Sequence, residues 1–329
     1  MRIAVVGTGF GRRVVAPVYA QTEGCEVVDV VSARDEEAVR ALVCRGHVDV
    51  VSVHSPPFLH APHVLTALEA GKAVVCDKPF ALDADEAASL ETAADDAGAL
   101  ALCNFEFRYA PARELLREMV NDGTVGRVEH VQSVHHSSGS RVPLRPWGWL
   151  FDRALGGGWI GAWASHAVDS LRFLLGAEVS HASAVLHTDV RERPDADGAL
   201  HVCTAEDGLS ASLVLDSGAT VSIDSGFAAC ATTPPRFTVY GDNAVIECVA
   251  DERLVIRRAD GRRENVDVAD GAATDRHLEP MRRFAEVVRD AVHSGEVPTH
   301  APKFSDGRAC DEVLDRLRAA PFAHDLVSR

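Results

Sequence analysis

Lysine is nearly missing from this chain of 329 residues: Lys72, Lys78 and Lys303 stand against thirty arginines. Basic charge is scarce overall, with 33 Lys and Arg against 49 Asp and Glu and a formal net charge of −16. A surface this acidic repels phosphate backbones and anionic headgroups, which argues against nucleic acid or a membrane surface as the main partner. No apolar run approaches the roughly 18–20 residues of a membrane span. The chain opens on a strand at Arg2 with no charged lead and apolar run, so a cytoplasmic protein is expected. The eight cysteines form no C-x-x-C pair, and several lie in apolar runs, as Cys76 does in AVVCDKP and Cys103 in LALCNF. They read as reduced, buried thiols. No metal is expected, because His60 and His63, three apart on a helix, have no acidic or cysteine partner placed beside them.

What is present is a regular alternation. Short Val-rich runs at 2–7, 26–31, 48–53, 73–77 and 101–105 are nearly continuous in apolar character. Strands covered on both faces read that way. Amphipathic stretches near 11–21, 35–45, 59–70 and 84–97 lie between them, the last with Asp83 as its N-cap. This β/α order predicts a doubly wound parallel sheet over residues 1–123. After about residue 123 the pattern changes. A Gly-rich segment at 156–161 leads into a helical stretch. Strand-like runs HASAVLHT, HVCTAE, LSASLVL, ATVSIDS, RFTVYG, AVIECV and RLVIRR follow, with turn signals at 207–208, 217–218, 241–243 and 260–261. Strands joined this closely are antiparallel. The second domain, 124–329, is therefore expected to be α+β, with an open, mostly antiparallel sheet and helices on one face. Helical stretches at 276–293 and 305–319 end the chain, and a C-terminal helix is expected to pack back on the first domain.

The first strand runs straight into Gly7-Thr8-Gly9-Phe10-Gly11-Arg12. Glycines here let the chain turn tightly and let a pyrophosphate approach the backbone, while the next helix aims its N–H groups at the phosphates. The usual third glycine falls on Arg12, and Gly11 comes one position early. The position that selects the ribose, about twenty residues on, holds Ser32, with Arg34 two residues later. A hydroxyl and a guanidinium suit a 2′-phosphate, so NADP is expected over NAD.

Lys78 ends the fourth strand, at the edge where open parallel sheets gather their active sites. Arginine cannot be deprotonated in a protein, whereas a partly buried lysine can titrate. A lysine at this point of an arginine-rich chain marks a titratable amine.

Four segments resemble the glucose–fructose oxidoreductase/inositol dehydrogenase (Gfo/Idh/MocA) family: PPFLHAPHVLTALEAGKAVVCDKPFAL, NFEFRYAPA, GGGWIGAWASHAVDSLRFLLG and FSDGRACDEVLDRLRAA. Asp77 replaces the glutamate of that family's Glu-Lys-Pro signature. The resemblance implies a Rossmann domain followed by an α+β domain, and hydride transfer between a nicotinamide and a sugar or cyclitol. It implies Lys78 and His166 as catalytic residues and places His54, Ser55, Pro56, Asp77 and Asn104 near the cofactor. The aspartate that the family often carries four residues before the histidine is Ala162 here. On a regular helix 162, 166 and 169 share a face, so Asp169 is expected to orient His166. Arg108, Trp149 and Trp163 are candidate substrate contacts, since aromatic rings near a polar pocket can cover a sugar face. Hydride transfer to or from a sugar or keto-sugar, by an NADP-dependent keto-sugar reductase or sugar dehydrogenase with Lys78 as the main acid/base, is the leading reading. A non-sugar carbonyl or imine, or a non-catalytic dinucleotide sensor, are the alternatives. A homodimer or homotetramer is expected, since LSASLVL and AVIECV carry apolar residues on both alternations.

Overall fold

The computed structural model describes residues 1–268 and 275–327. The chain divides into two compact units, Met1–Tyr109 with Asp275–Glu312, and Ala110–Thr274 with Val313–Arg329. The sequence pattern puts the change at 123/124; the structure assigns residues 110–123 to the second unit. Among the described residues no helix is long and apolar enough to cross a membrane. All eight cysteines are free thiols.

The first unit is built on five parallel strands, β1 (Arg2–Val6), β2 (Glu26–Val31), β3 (Val50–Val53), β4 (Ala73–Cys76) and β5 (Ala101–Cys103), in the order β2-β1-β3-β4-β5. The central strands are buried nearly throughout, Ile3–Val6 and Val50–Val53 without exception. Their runs lack polar alternation because helices cover both faces. The helices are α1 (Ala16–Gln21), α2 (Glu36–Val43), α3 (His60–Glu69) and α4 (Ala84–Ala97). Asp35 and Asp83 cap α2 and α4 by accepting the N–H of Ala38 and Glu86, each worth about 1 kcal/mol.

The second unit starts at α5 (Pro111–Asn121) and carries α6 (Ser165–Leu175). Its eight-stranded sheet has β6 (Val128–His136) inside it, flanked by later strands: β7 (Val179–His187), β10 (Gly208–Leu215), β11 (Thr220–Gly226), β12 (Arg236–Gly241), β13 (Ala244–Val249), β14 (Arg253–Arg258) and β15 (Arg263–Asp267). A separate hairpin pairs β8 (Glu192–Pro194) with β9 (Leu200–Val202). All neighbours in the large sheet are antiparallel except β6 and β11, which run parallel. The sequence pattern did not reveal β6, because VEHVQSVHH holds more polar than apolar residues. Leu209, Ala211, Leu213 and Leu215 of β10 are buried, while Ser210, Ser212 and Val214 face outward. The apolar character expected on both faces of LSASLVL therefore reduces, on its outer face, to Val214.

Residues 276–293 do form a helix, α7 (Leu278–Ser294), which belongs to the first unit. Its Met281, Phe284, Ala285 and Val288 share a core with Ile3, Val5, Val18, Tyr19 and Val75. The next helix, α8 (Phe304–Arg318), begins in the same unit, and α9 (Ala323–Val327) follows. Gly307 is needed in α8: a Cβ there would lie 2.5 Å from Cys103 Sγ and 2.7 Å from the Phe80 ring.

Candidate active site

The parallel ladder continues one step past β1, β3, β4 and β5. The N–H of Gly7 donates to Val31 O at 2.9 Å, His54 to Val6 O at 2.8 Å, Asp77 to Val53 O at 2.9 Å and Asn104 to Cys76 O at 2.7 Å. These bonds line up the predicted site residues on one edge, the carboxyl edge of the sheet.

Gly7 has φ +130°, and a Cβ there would sit 2.3 Å from the carbonyl oxygen of His54. The turn closes only without a side chain. Nothing lies within 4 Å of where a Cβ on Gly9 would be, so this stretch of backbone faces open space. At Gly11 a Cβ would lie 3.1 Å from both Val5 Cγ1 and His54 Cβ. Gly11 thus serves the close helix–strand packing usually given to the third glycine. The helix opens there with a wide π-type turn, Gly11–Val15, which accommodates the early glycine. Arg12 is exposed, and its Nη2 donates to Val30 O at 2.9 Å, at the end of β2. Ser32 and exposed Arg34 follow that strand, the Arg34 N–H donating to Ser32 Oγ. Phe10 packs its ring on His54 and His277.

His54 turns inward. Its side chain is 1% exposed and lies between Ser52, whose Oγ is 2.8 Å from Nε2, and Asp77, whose Oδ2 is 3.0 Å from Nδ1. The other oxygen of Asp77 accepts the backbone N–H of Lys78 at 2.9 Å and the Asn104 amide at 3.2 Å. Burial pushes the Asp77 carboxyl up, but the charge and hydrogen bond of His54, with the charge of Lys78, outweigh it and hold it below the usual carboxylate range. Asn104 is buried, and among the described residues its Oδ1 has no hydrogen-bond partner. An orphaned buried acceptor costs about 1–3 kcal/mol, which a ligand's N–H would offset. Open backbone at Gly9 and an unmet acceptor at Asn104 fit a dinucleotide whose nicotinamide end carries a carboxamide.

One neighbour escaped the sequence reading. Glu106, after β5, is buried against His277 Nδ1 at 2.8 Å. Ser52, the one hydroxyl in the all-buried VVSV strand, was a signal for a polar contact inside the sheet.

Arg108 corrects an expectation. Its side chain is 5% exposed, Nη1 donates to His300 O and Nη2 pairs with Asp306 at 3.1 Å. It ties the β5 end to α8 rather than offering its charge to a substrate. His60 and His63 are also internal. His60 faces the carbonyls of Ser55 and Phe80, and His63 Nδ1 lies 3.1 Å from Ser55 Oγ.

Burial lowers the His63 pKa to about 4. The unfolded chain then takes up a proton near pH 6.5 that the folded chain refuses. The contribution of His63 is complete above pH 6.5 and is lost as the pH falls toward 4. Thermal melts from pH 7 to 4 are expected to show a shallower decline for His63→Gln than for the parent chain. Parallel declines would refute this.

In the second unit, His166 and Asp169 are buried on α6, three residues apart. A π-type turn over Ile160–Ala164 precedes them. It breaks the regular period between Ala162 and His166, so the face expected for 162, 166 and 169 holds only for the last two. Gly158 has φ +110°, and a Cβ there would strike the Glu206 carboxylate. That carboxylate accepts the Ile160 N–H at 2.9 Å and caps the stretch leading to His166. Burial raises the Glu206 pKa against this bond. Trp163, Trp159 and Phe227 stack in sequence within 7° of parallel, and Trp163 also meets His135 at 5.5 Å. Trp149 is half-buried at the start of a short 3-10 turn. Arg193, fully buried, lies over Phe151 and bonds the carbonyls of Ser140 and Arg145, pinning the 137–155 loop. His187, Asp189 and Asp207 cluster at the β7–β10 end. Both Asp207 oxygens there accept backbone N–H groups, from Asp189 and Val190, as a loop closure.

Residues 1–105 match the oxidoreductase family with an NAD-binding Rossmann fold, and residues 114–247 match the GFO/IDH/MocA C-terminal domain. An uncharacterized oxidoreductase of Synechocystis is 31% identical over 76% of this chain and 72% of its own length. Levoglucosan dehydrogenase of Pseudarthrobacter phenanthrenivorans is 32% identical over 47% of this chain, a match spanning 40% of that enzyme. A solved structure of levoglucosan dehydrogenase in complex with NADH superposes with a TM-score of 0.84 at 23% identity, over 97% of this chain and 96% of that one.

Proposed function

The chain belongs to the Gfo/Idh/MocA oxidoreductase family, and from that premise we propose that it transfers a hydride between NADP and a sugar or keto-sugar carbon. The observation that carries this reading is Lys78, set at the carboxyl edge beside Asp77 and Asn104. The sugar class draws on the levoglucosan dehydrogenase likeness.

Gly7, Gly9 and the turn that follows would take the pyrophosphate, and Asn104 Oδ1 would accept from the carboxamide. A bound nicotinamide supplies the hydride donor or acceptor. Lys78 then moves the proton that balances the hydride, giving it to the forming alkoxide in reduction or taking it from the alcohol in oxidation. On the family resemblance, His166 and Asp169 are also assigned to proton handling and Trp163 to contact with the sugar. With Ala162 in place of a carboxylate, reduction is the favoured direction. A sugar panel with NADPH tests the reading. Turnover of a keto-sugar or aldose is expected, and an absence of both turnover and dinucleotide binding would overturn it.

NADP is expected to bind more tightly than NAD, with Arg34 meeting the 2′-phosphate. A charge-assisted bond contributes about 1.5–3 kcal/mol. Arg34→Ala should therefore weaken NADPH binding about tenfold or more while leaving NADH unchanged, as read by nucleotide fluorescence. Equal or tighter binding of NADH by the parent chain would refute the preference. A homodimer or homotetramer covering the outer face of the second sheet, around Val185 and Val214, and a cytoplasmic location in keeping with eight free thiols, complete the proposal.

A further inference from the structure

Three strands of the first unit converge on one carboxylate. Ser52 and His54 come from β3 and the residue that follows it, Asp77 follows β4, and Asn104 follows β5. The direction of the hydrogen bonds follows from charge. An ionised Asp77 only accepts, so His54 Nδ1 carries the proton. Nε2 on the other side of the ring lies 2.8 Å from Ser52 Oγ, so the imidazole is held from behind as well.

The order serine, histidine, carboxylate is that of a hydrolytic triad, but Ser52 is fully buried and no substrate can reach its oxygen. The row instead holds a carboxylate in place. Oδ1 of Asp77 anchors the Lys78 backbone and the Asn104 amide; only His54 engages Oδ2 among the hydrogen bonds of this group. An aspartate held at one oxygen can still swing about its side-chain torsions. Held at both, it fixes the turn.

We propose that His54 is a positioning residue for Lys78: by binding Oδ2 of Asp77 it locks the anchor from which the lysine and the Asn104 amide are presented. This rests on the reading of Lys78 as the proton carrier. The charged and titratable groups facing Asp77 are His54 from the end of β3, His60 from α3 and Lys78 from its own turn.

The scarcity of lysine makes the test direct. Protein labelled with 13C-lysine gives resonances from three side chains, and Lys78→Met assigns that of Lys78. His54→Phe keeps a ring but removes both nitrogens. It is expected to displace the titration midpoint of the Lys78 resonance by about half a unit or more, with Lys72 and Lys303 unmoved. It should also lower kcat about tenfold or more with the dinucleotide Kd nearly unchanged. His54→Gln, which keeps an N–H donor, should recover part of both losses. If His54→Phe does not fold, Ser52→Ala unseats the same ring from behind and should move the Lys78 resonance in place of it. An unmoved Lys78 titration in a folded variant overturns the proposal. A loss confined to dinucleotide affinity overturns it as well, since it would make His54 a cofactor contact. If Lys78→Met itself keeps its kcat, the proton-carrier reading fails, and the resonance shift still decides whether His54 positions the lysine.

Discussion

Lys78→Met is expected to lower kcat by about 10²–10⁴-fold, the usual contribution of a general acid or base, with circular dichroism and the melting temperature close to those of the parent. The structure gives a reason for the fold to survive. Lys78 holds its neighbour through its backbone N–H, which donates to Asp77 Oδ1, and methionine keeps that bond and a stem of similar length. The ammonium is what disappears. His166→Ala should cost less, because Ala162 already leaves the second unit without the carboxylate of a full relay. Steady-state kinetics on both variants with the best substrate of the sugar panel decide this. A Lys78→Met chain with near-parental kcat would remove the proposed proton carrier and leave only the dinucleotide site standing.

Gly7→Ala should be the most damaging single methyl in the first unit. The added carbon would lie 2.3 Å from His54 O and 2.7 Å from His54 C, at φ +130°. Backbone strain and overpacking each cost about 1–3 kcal/mol. A lower urea midpoint and loss of dinucleotide binding are expected together. Gly9→Ala separates the two effects. Nothing lies within 4 Å of its added methyl, so stability should hold while affinity falls, the methyl standing where a pyrophosphate would approach. Equal melting of the parent and Gly7→Ala would show that the β1 turn is not closed by this contact.

The first unit's sheet was legible along the chain, because a parallel strand buried on both faces has no choice but to be largely apolar. The runs at Ile3–Val6 and Val50–Val53 announce themselves. Caps at Asp35 and Asp83 and the glycines after β1 are equally local, since a helix end or a tight turn is satisfied by residues next to it in the chain. Local order also put Lys78 and Asn104 at strand ends, and hence on one edge. The partners brought together from distant segments emerged only with the fold. β6 is hidden because its neighbours, β11 and β12, lie more than 80 residues on, and pairing rather than composition makes it a strand. Arg108 reads as a candidate substrate contact, and only the fold shows Asp306 of α8 paired with it. His54 carries no local sign of its ring's partner, Asp77, which β4 sets beside it. Glu206 has no local sign of its role, which exists only where Gly158 leaves room for its carboxylate beneath the Ile160 N–H. A side chain's period along the chain tells which face it takes; which charge or carbonyl it meets there depends on segments that the period does not contain.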